Sequence, residues 1–173
     1  MNPAVTVGAI TAAEAVGYIV SQIAGGVAAA LLLRIVLGGV ATGLGTPELA
    51  HGLVIGGTTV TITPASGFTI EAVLAFFLVT AVLSTAVAGR AAHLAPVAIG
   101  LTLVLNILMG GPLTGAAFNP ARALGPMIVT GNLGDAWLYG LAPVVGAIIA
   151  AVVHMGLSRL AYERPAAAAA PAE

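Results

Sequence analysis

Asn2-Pro3-Ala4 and Asn119-Pro120-Ala121 are one tripeptide written twice in a chain that is otherwise almost uncharged. Average residue usage gives any chosen tripeptide a chance of roughly 10⁻⁴ per position, so the second copy is informative. Asn is a preferred N-cap and Pro a preferred first helical residue, so each copy opens a helix. A capping Asn spends its side-chain oxygen on the helix amides and leaves its NH₂ donors facing outward. Two such helix ends at membrane depth form a pair of electropositive, hydrogen-bond-donating points. Arg122 follows the second copy, and Glu71 lies inside an apolar stretch. A charge at that depth is costly and by default functional, and an isolated carboxylate there must be paired, protonated or near the interface. The chemistry these residues offer is hydrogen-bond donation and charge exclusion. The sequence shows no nucleophile–base pair, paired carboxylates or phosphate loop, so no enzyme activity and no cofactor are expected. His51, His93 and His154 share no ligand spacing, and Cys is absent, so no metal site is expected either. Glu14 reads as a solvated residue at a membrane edge.

The elements that carry these residues are membrane spans. Hydrophobic residues make up 60% of the 173 and charged residues 6%. Mean hydropathy is +1.12, far above an ordinary soluble domain. The net charge of −1 leaves no basic footprint for nucleic acid. No charged segment followed by an apolar core opens the sequence, so no signal peptide is visible. A bilayer crossing needs about 20 apolar residues. Four stretches qualify: Ala15–Leu37, Phe68–Ala88, Leu94–Gly110 and Trp137–Leu157. Pro3–Ile10 and Pro120–Val129 are too short to span, and each is opened by the duplicated cap. Between the first two spans, Gly38–Gly67 is rich in Gly, Thr and Pro and predicts a long exposed loop.

Short interrupted segments at corresponding places in two halves are the mark of an inverted-repeat pore. Gly8 follows Asn2 by the interval at which Gly125 follows Asn119. Tyr18, Gln22, Gly25 and Gly26 match Tyr139, Pro143, Gly146 and Ala147 at one constant offset. Small residues there suit close helix crossings in lipid.

From residue 2 to about 160, the chain resembles the aquaporins (major intrinsic proteins). The resemblance is carried by Asn2-Pro3-Ala4-Val5-Thr6-Val7-Gly8 and by the run from Gly111 to Pro126 that contains Asn119-Pro120-Ala121-Arg122. It implies an all-α membrane protein with an inverted repeat, here with four full transmembrane helices plus two half-helices. It also implies that two spans ahead of Asn2 are missing, together with the His that usually stands two residues before that Asn. We therefore expect an amino-terminally truncated member. Residues 1–37 would be the first-repeat remnant and 38–67 an extracellular loop. Residues 68–160 would be the second repeat and 161–173 a disordered Ala/Pro tail.

The resemblance assigns pore residues one by one. Asn2, Pro3, Ala4, Asn119, Pro120 and Ala121 form the two pore motifs, and Arg122 projects into the narrowest part. Counting back along the family pattern places Ile107 and Ala116 in the same selectivity filter, whose fourth contributor belongs to a missing span. Glu71 matches the buried Glu that braces the re-entrant loop. Ile107 stands where strictly water-selective members carry His, and it resembles the tonoplast-like aquaporins, as does Gly110-Gly111-Pro112. An apolar wall there relaxes selectivity. Ala123 and Pro126-Met127 depart from the glycerol-facilitator pattern. Tyr139-Gly140 half-matches the water channels.

The implied function is a passive channel for water, with ammonia, urea or hydrogen peroxide as further solutes. A glycerol-type facilitator, an ion-coupled transporter and a non-conducting fragment are the alternatives. Taken alone, the 173 residues are expected to form an open groove and to carry no flux, with Pro3–Ile10 poorly held unless another subunit covers it. Arg90, Arg159 and Arg164 fall on one side of the four-span arrangement, and Glu48 and Asp135 on the other, with Arg34 near the end of the first span. The bias of positive residues toward the cytoplasm then predicts a cytoplasmic carboxyl terminus in a cell membrane. The resemblance further implies a homotetramer in a lipid bilayer.

Overall fold

A computed structural model describes residues 2–9, 12–87 and 92–162. Among these residues six α-helices carry the fold: α1 (Pro3–Ala9), α2 (Ala12–Val36), α3 (Pro64–Val82), α4 (Ala95–Thr114), α5 (Pro120–Thr130) and α6 (Ala136–Tyr162). A π turn, Leu83–Val87, prolongs α3, and a 3₁₀ turn, Ala92–Leu94, precedes α4. Among the described residues, four segments are long and apolar enough to cross a membrane: Glu14–Val36, Pro64–Val87, Ala92–Thr114 and Ala136–Ser158. Their large side chains face outward, among them Leu32, Ile35, Leu101, Leu108 and Val152, each more than half exposed. Apolar surface on that scale belongs in lipid. The chain is an all-α, multi-span membrane protein with two additional short helices. The first two residues of the expected tail, 161 and 162, end α6 rather than being disordered, while 163–173, Arg164 among them, and Arg90 lie outside the described residues.

Lipid offers no hydrophobic force between helices, so close packing must hold them together, and small residues permit it. A Cβ on Gly26 of α2 would run into the backbone carbonyl of Ala121 in α5. One on Gly125 would meet the carbonyl of Gly26, and one on Gly146 of α6 would meet the carbonyl of Ala72 in α3. These glycines therefore set the α2–α5 and α3–α6 crossings. The short helix α1 packs on α6, where Ala4, Val79, Leu83, Ala147 and Ala150 form one cluster. Each short helix thus leans on the last long helix of the other half: α1 on α6, and α5 on α2.

Three boundaries differ from the hydropathy reading. Helix α3 starts four residues before Phe68, because the Thr63 hydroxyl caps it by accepting from the Ser66 N–H and Pro64 begins it. Helix α4 runs through Gly110-Gly111-Pro112 to Thr114. It stops where Gly115 turns left-handed (φ 77°) and its N–H closes on the Gly111 carbonyl (3.0 Å). Helix α6 continues to Tyr162. The segment 38–63 is also less exposed than its composition predicts. It holds a small hairpin, β1 (Leu53–Ile55) paired antiparallel with β2 (Thr58–Val60). Leu44, Leu49 and Ile62 are buried, and Leu49 and Ile62 join a core with Met127, Leu138 and Tyr139.

Candidate functional site: two capped short helices and a bound arginine

Asn2 caps α1 by accepting the Ala4 N–H on Oδ1 (2.9 Å), and its Nδ2 donates to the Phe118 carbonyl (2.9 Å). The acceptor immediately precedes Asn119. Asn119 in turn caps α5, its Oδ1 accepting from the N–H groups of Ala121 (3.1 Å) and Arg122 (3.2 Å). The amino-terminal ends of α1 and α5 therefore meet through a hydrogen bond from one cap to the chain beside the other. Both ends carry the positive pole of their helices. Pro3, Ala4, Pro120 and Ala121 are all buried behind the two caps.

Two cavities open from this meeting point. One, of about 590 Å³, is lined by Asn2, Val5, Thr6, Leu78, Ile99 and Leu103, among others. The second, of about 570 Å³, runs past Gly25, Gly26, Ala29, Leu44, Gly45 and Arg122. Gln22 and Asn119 line both. Gln22 also ties α2 to α1, its Nε2 donating to Thr6 Oγ1 (2.9 Å). The cavity walls are thus mostly apolar, with Tyr18 and Phe118 also on the first, and the polar side chains Asn2, Thr6, Gln22, Asn119 and Arg122 are on or near the capped helix ends.

The segment between α4 and α5 carries backbone strain. Ala116 and Phe118 adopt positive φ (43° and 31°), a region that costs a residue with a Cβ about 1–2 kcal/mol. Such a conformation persists only where its surroundings over-determine it. Here Glu71 does so. Its Oε1 accepts from Thr114 Oγ1 (2.6 Å) and the Ala117 N–H (2.9 Å), and its Oε2 accepts from the Phe118 N–H. Glu71 is fully buried, and these three donors supply the partners that a carboxylate at this depth requires. The Tyr139 hydroxyl donates to the Thr114 carbonyl (2.7 Å), and Asn106 Nδ2 donates to the Leu74 carbonyl (2.7 Å) across the α3–α4 contact.

Arg122 is held by a turn in the segment between α2 and α3. Its Nη1 donates to the Gly45 carbonyl (2.9 Å). Thr42 caps that turn, and Gly43, Leu44 and Gly45 all have positive φ (70°, 51° and 75°). The glycines make this tight reversal possible.

The structure brings Asn2, Asn119 and Arg122 to cavity walls and places Glu71 behind them. Ile107 and Ala116 are placed differently. Ile107 is 54% exposed, one helical turn beyond Leu103 on the α4 stripe of Ile99 and Leu103. Ala116 is buried in a cluster with Leu74, Ala75, Leu78 and Phe118. Asn106, Thr114, Tyr139 and Gly45 were not singled out for these contacts by sequence reasoning. Asn106 carried a usable signal, since a polar side chain in the middle of an apolar span needs an internal partner. Gly45 carried none, because its contribution is a carbonyl. Among the described residues, no group of three or more His, Asp or Glu is placed to hold a metal ion.

Four long apolar helices with two short capped helices meeting between them define a polytopic membrane protein of the re-entrant, inverted-repeat class. Residues 1–154 match the major intrinsic protein family, and the chain belongs to it. It is 40% identical over 156 residues to aquaporin NIP1-2 of Oryza sativa subsp. japonica, covering 87% of this chain and 50% of that protein. Nodulin-26 of Glycine max is 38% identical over 159 residues (88% and 55%). Probable aquaporin TIP1-2 of Oryza sativa subsp. japonica is 41% identical over 162 residues (89% and 60%). The chain spans about half the length of the first of these relatives.

Proposed function

We propose that this chain belongs to a passive membrane channel for water, with ammonia, urea and hydrogen peroxide as further uncharged solutes. The observation that carries the reading is the shared wall at Asn119. It lines both cavities, with the Asn2 amide bonded to the residue beside it. A solute passing that point exchanges hydrogen bonds with water for bonds to amides and carbonyls. Two positive helix ends oppose protons and cations there. Membership of a family whose relatives include named aquaporins supports the same reading.

In this reading Arg122 is the charged wall of the filter and Ile107 and Ala116 are its further walls. Glu71 holds the strained turn that aims its carbonyls at the lumen. We assign the protein to the cell membrane as a homotetramer, carboxyl terminus in the cytoplasm. A glycerol-type facilitator is the second reading; the apolar Ile107 favours it, whereas Ala123 and Pro126-Met127 oppose it. Reconstitution into vesicles and stopped-flow scattering test the proposal. Osmotic water flux well above protein-free vesicles, with a shallow temperature dependence and no ion current, is the expected outcome. Transport that requires a sodium or proton gradient would replace the channel with a coupled carrier.

A further inference from the structure

The residues that follow Gly45 touch the second re-entrant segment at five successive positions. The Thr46 and Thr130 hydroxyls are 3.3 Å apart. Pro47 packs so closely on Gly115 that a Cβ there would come within 3.0 Å of its Cα. Glu48 Oε1 accepts from Asn132 Nδ2 (2.9 Å). Leu49 enters the core beside Met127 and Tyr139, and the Ala50 N–H donates to the Leu113 carbonyl (2.9 Å). Leu113–Gly115 lead into the strained turn, and Thr130–Asn132 follow the end of α5. Thr46–Ala50 therefore grips both ends of the segment whose middle holds Arg122. Gly45, the residue just before this stretch, presents its carbonyl to the Arg122 guanidinium.

We propose that Thr46–Ala50 is a strap that fixes the Gly45 carbonyl and, through it, Arg122. The Glu48–Asn132 hydrogen bond is the latch of that strap. Glu48 and Asn132 are then positioning residues for solute discrimination, although both are exposed and neither lines a described cavity. Of the strap's other grips, Pro47 and Leu49 are buried, Ala50 acts through its backbone N–H, and the Thr46–Thr130 hydroxyl pair is half-buried beside α5, so removing any of them would disturb packing. The latch can be opened alone. Its effect on discrimination rests on Arg122 being a filter residue, whereas its effect on Arg122 itself does not.

The test separates the latch from a simple charge effect. Glu48→Ala removes the acceptor, and Asn132→Ala removes the donor. Glu48→Gln keeps an acceptor oxygen and removes the charge. The protein contains five arginines and no lysine, so its guanidinium resonances in lipid nanodiscs are few, and Arg122→Lys assigns the one in question. Opening the latch should speed hydrogen exchange at the Arg122 Nη groups about fivefold, the factor carried by one ordinary hydrogen bond. Asn132→Ala should match Glu48→Ala, the double variant should add nothing, and Glu48→Gln should stay near the unaltered protein. The urea-to-water permeability ratio in vesicles should rise in the same variants and stay put in Glu48→Gln. Unchanged exchange in Glu48→Ala overturns the strap, and so does an equal effect of Glu48→Gln, which would assign the role to charge. Faster exchange with an unchanged permeability ratio overturns the link to discrimination. If the unaltered protein carries no flux, the channel reading fails, while the exchange measurement still decides the strap.

Discussion

Glu71 is the residue on which the strained turn most depends. Three donors converge on one buried carboxylate, and two of them are backbone N–H groups of residues 117 and 118. Glu71→Gln replaces one acceptor oxygen by an NH₂ that faces a donor, leaving a buried N–H without a partner. That should cost about 1–3 kcal/mol, read as a lowered unfolding temperature in detergent. Tyr139→Phe, which removes a single bond to the Thr114 carbonyl, should cost about 1 kcal/mol. Glu71→Gln as harmless as Tyr139→Phe would mean that the turn is held by packing alone. Ile107→His, made in the conducting protein, should lower urea permeability more than water permeability, because an imidazole narrows and polarises that wall. Equal changes for both solutes in stopped-flow would place Ile107 outside the constriction. Asn2 and Asn119 stand out in the sequence as a duplicated helix cap, and Arg122 and Glu71 as charges in an apolar chain. Apart from the loop expected against Glu71, their partner atoms were not legible, since Phe118, Gly45 and Ala117 take part through backbone atoms that only the fold brings near.

At the scale of elements, the crossings are set by glycines that meet backbone. Gly26 and Gly125 face the carbonyls of α5 and α2, so a methyl at either forces the helices apart. Gly26→Ala and Gly125→Ala should each cost about 1–3 kcal/mol by overpacking. Gly17 lies on the same helix α2 with nothing within 4 Å of a built Cβ. Gly17→Ala should therefore be neutral or stabilising by up to about 1 kcal/mol, the helical preference of Ala over Gly. Thermal unfolding of the three variants side by side checks this, and equal losses at Gly17 and Gly26 would refute the crossing argument. The four long helices could be read from hydropathy to within a few residues, and the short ones from their Asn-Pro caps. The start of α3 was hidden because its first turn is polar, and the end of α4 because Gly110-Gly111-Pro112 reads as a breaker. Tertiary contact overrides that local signal: Gly110 is buried where a Cβ would press on Leu74, and Glu71 holds Thr114. The interior of segment 38–63 was illegible for the same reason. Leu44, Leu49 and Ile62 follow no period, and their burial is decided by the helices they lie against.

For the whole molecule, an exterior lined by Leu32, Ile35, Leu101, Leu108 and Val152 leaves lipid as the only compatible surroundings. The protein should stay with membranes through an alkaline carbonate wash and leave only with detergent; release by carbonate would contradict the four-span arrangement. The central claim is that the amides of Asn2 and Asn119 mark the midpoint of a passive path. Osmotic stopped-flow on vesicles holding the protein as its host makes it, with and without Asn119→Leu, tests that claim most directly. The account predicts fast water flux with shallow temperature dependence and no ion current for the unaltered protein. It predicts a loss of most of that flux when the Asn119 amide is replaced by an apolar side chain. Flux equal to that of protein-free vesicles, or undiminished in Asn119→Leu, would contradict it.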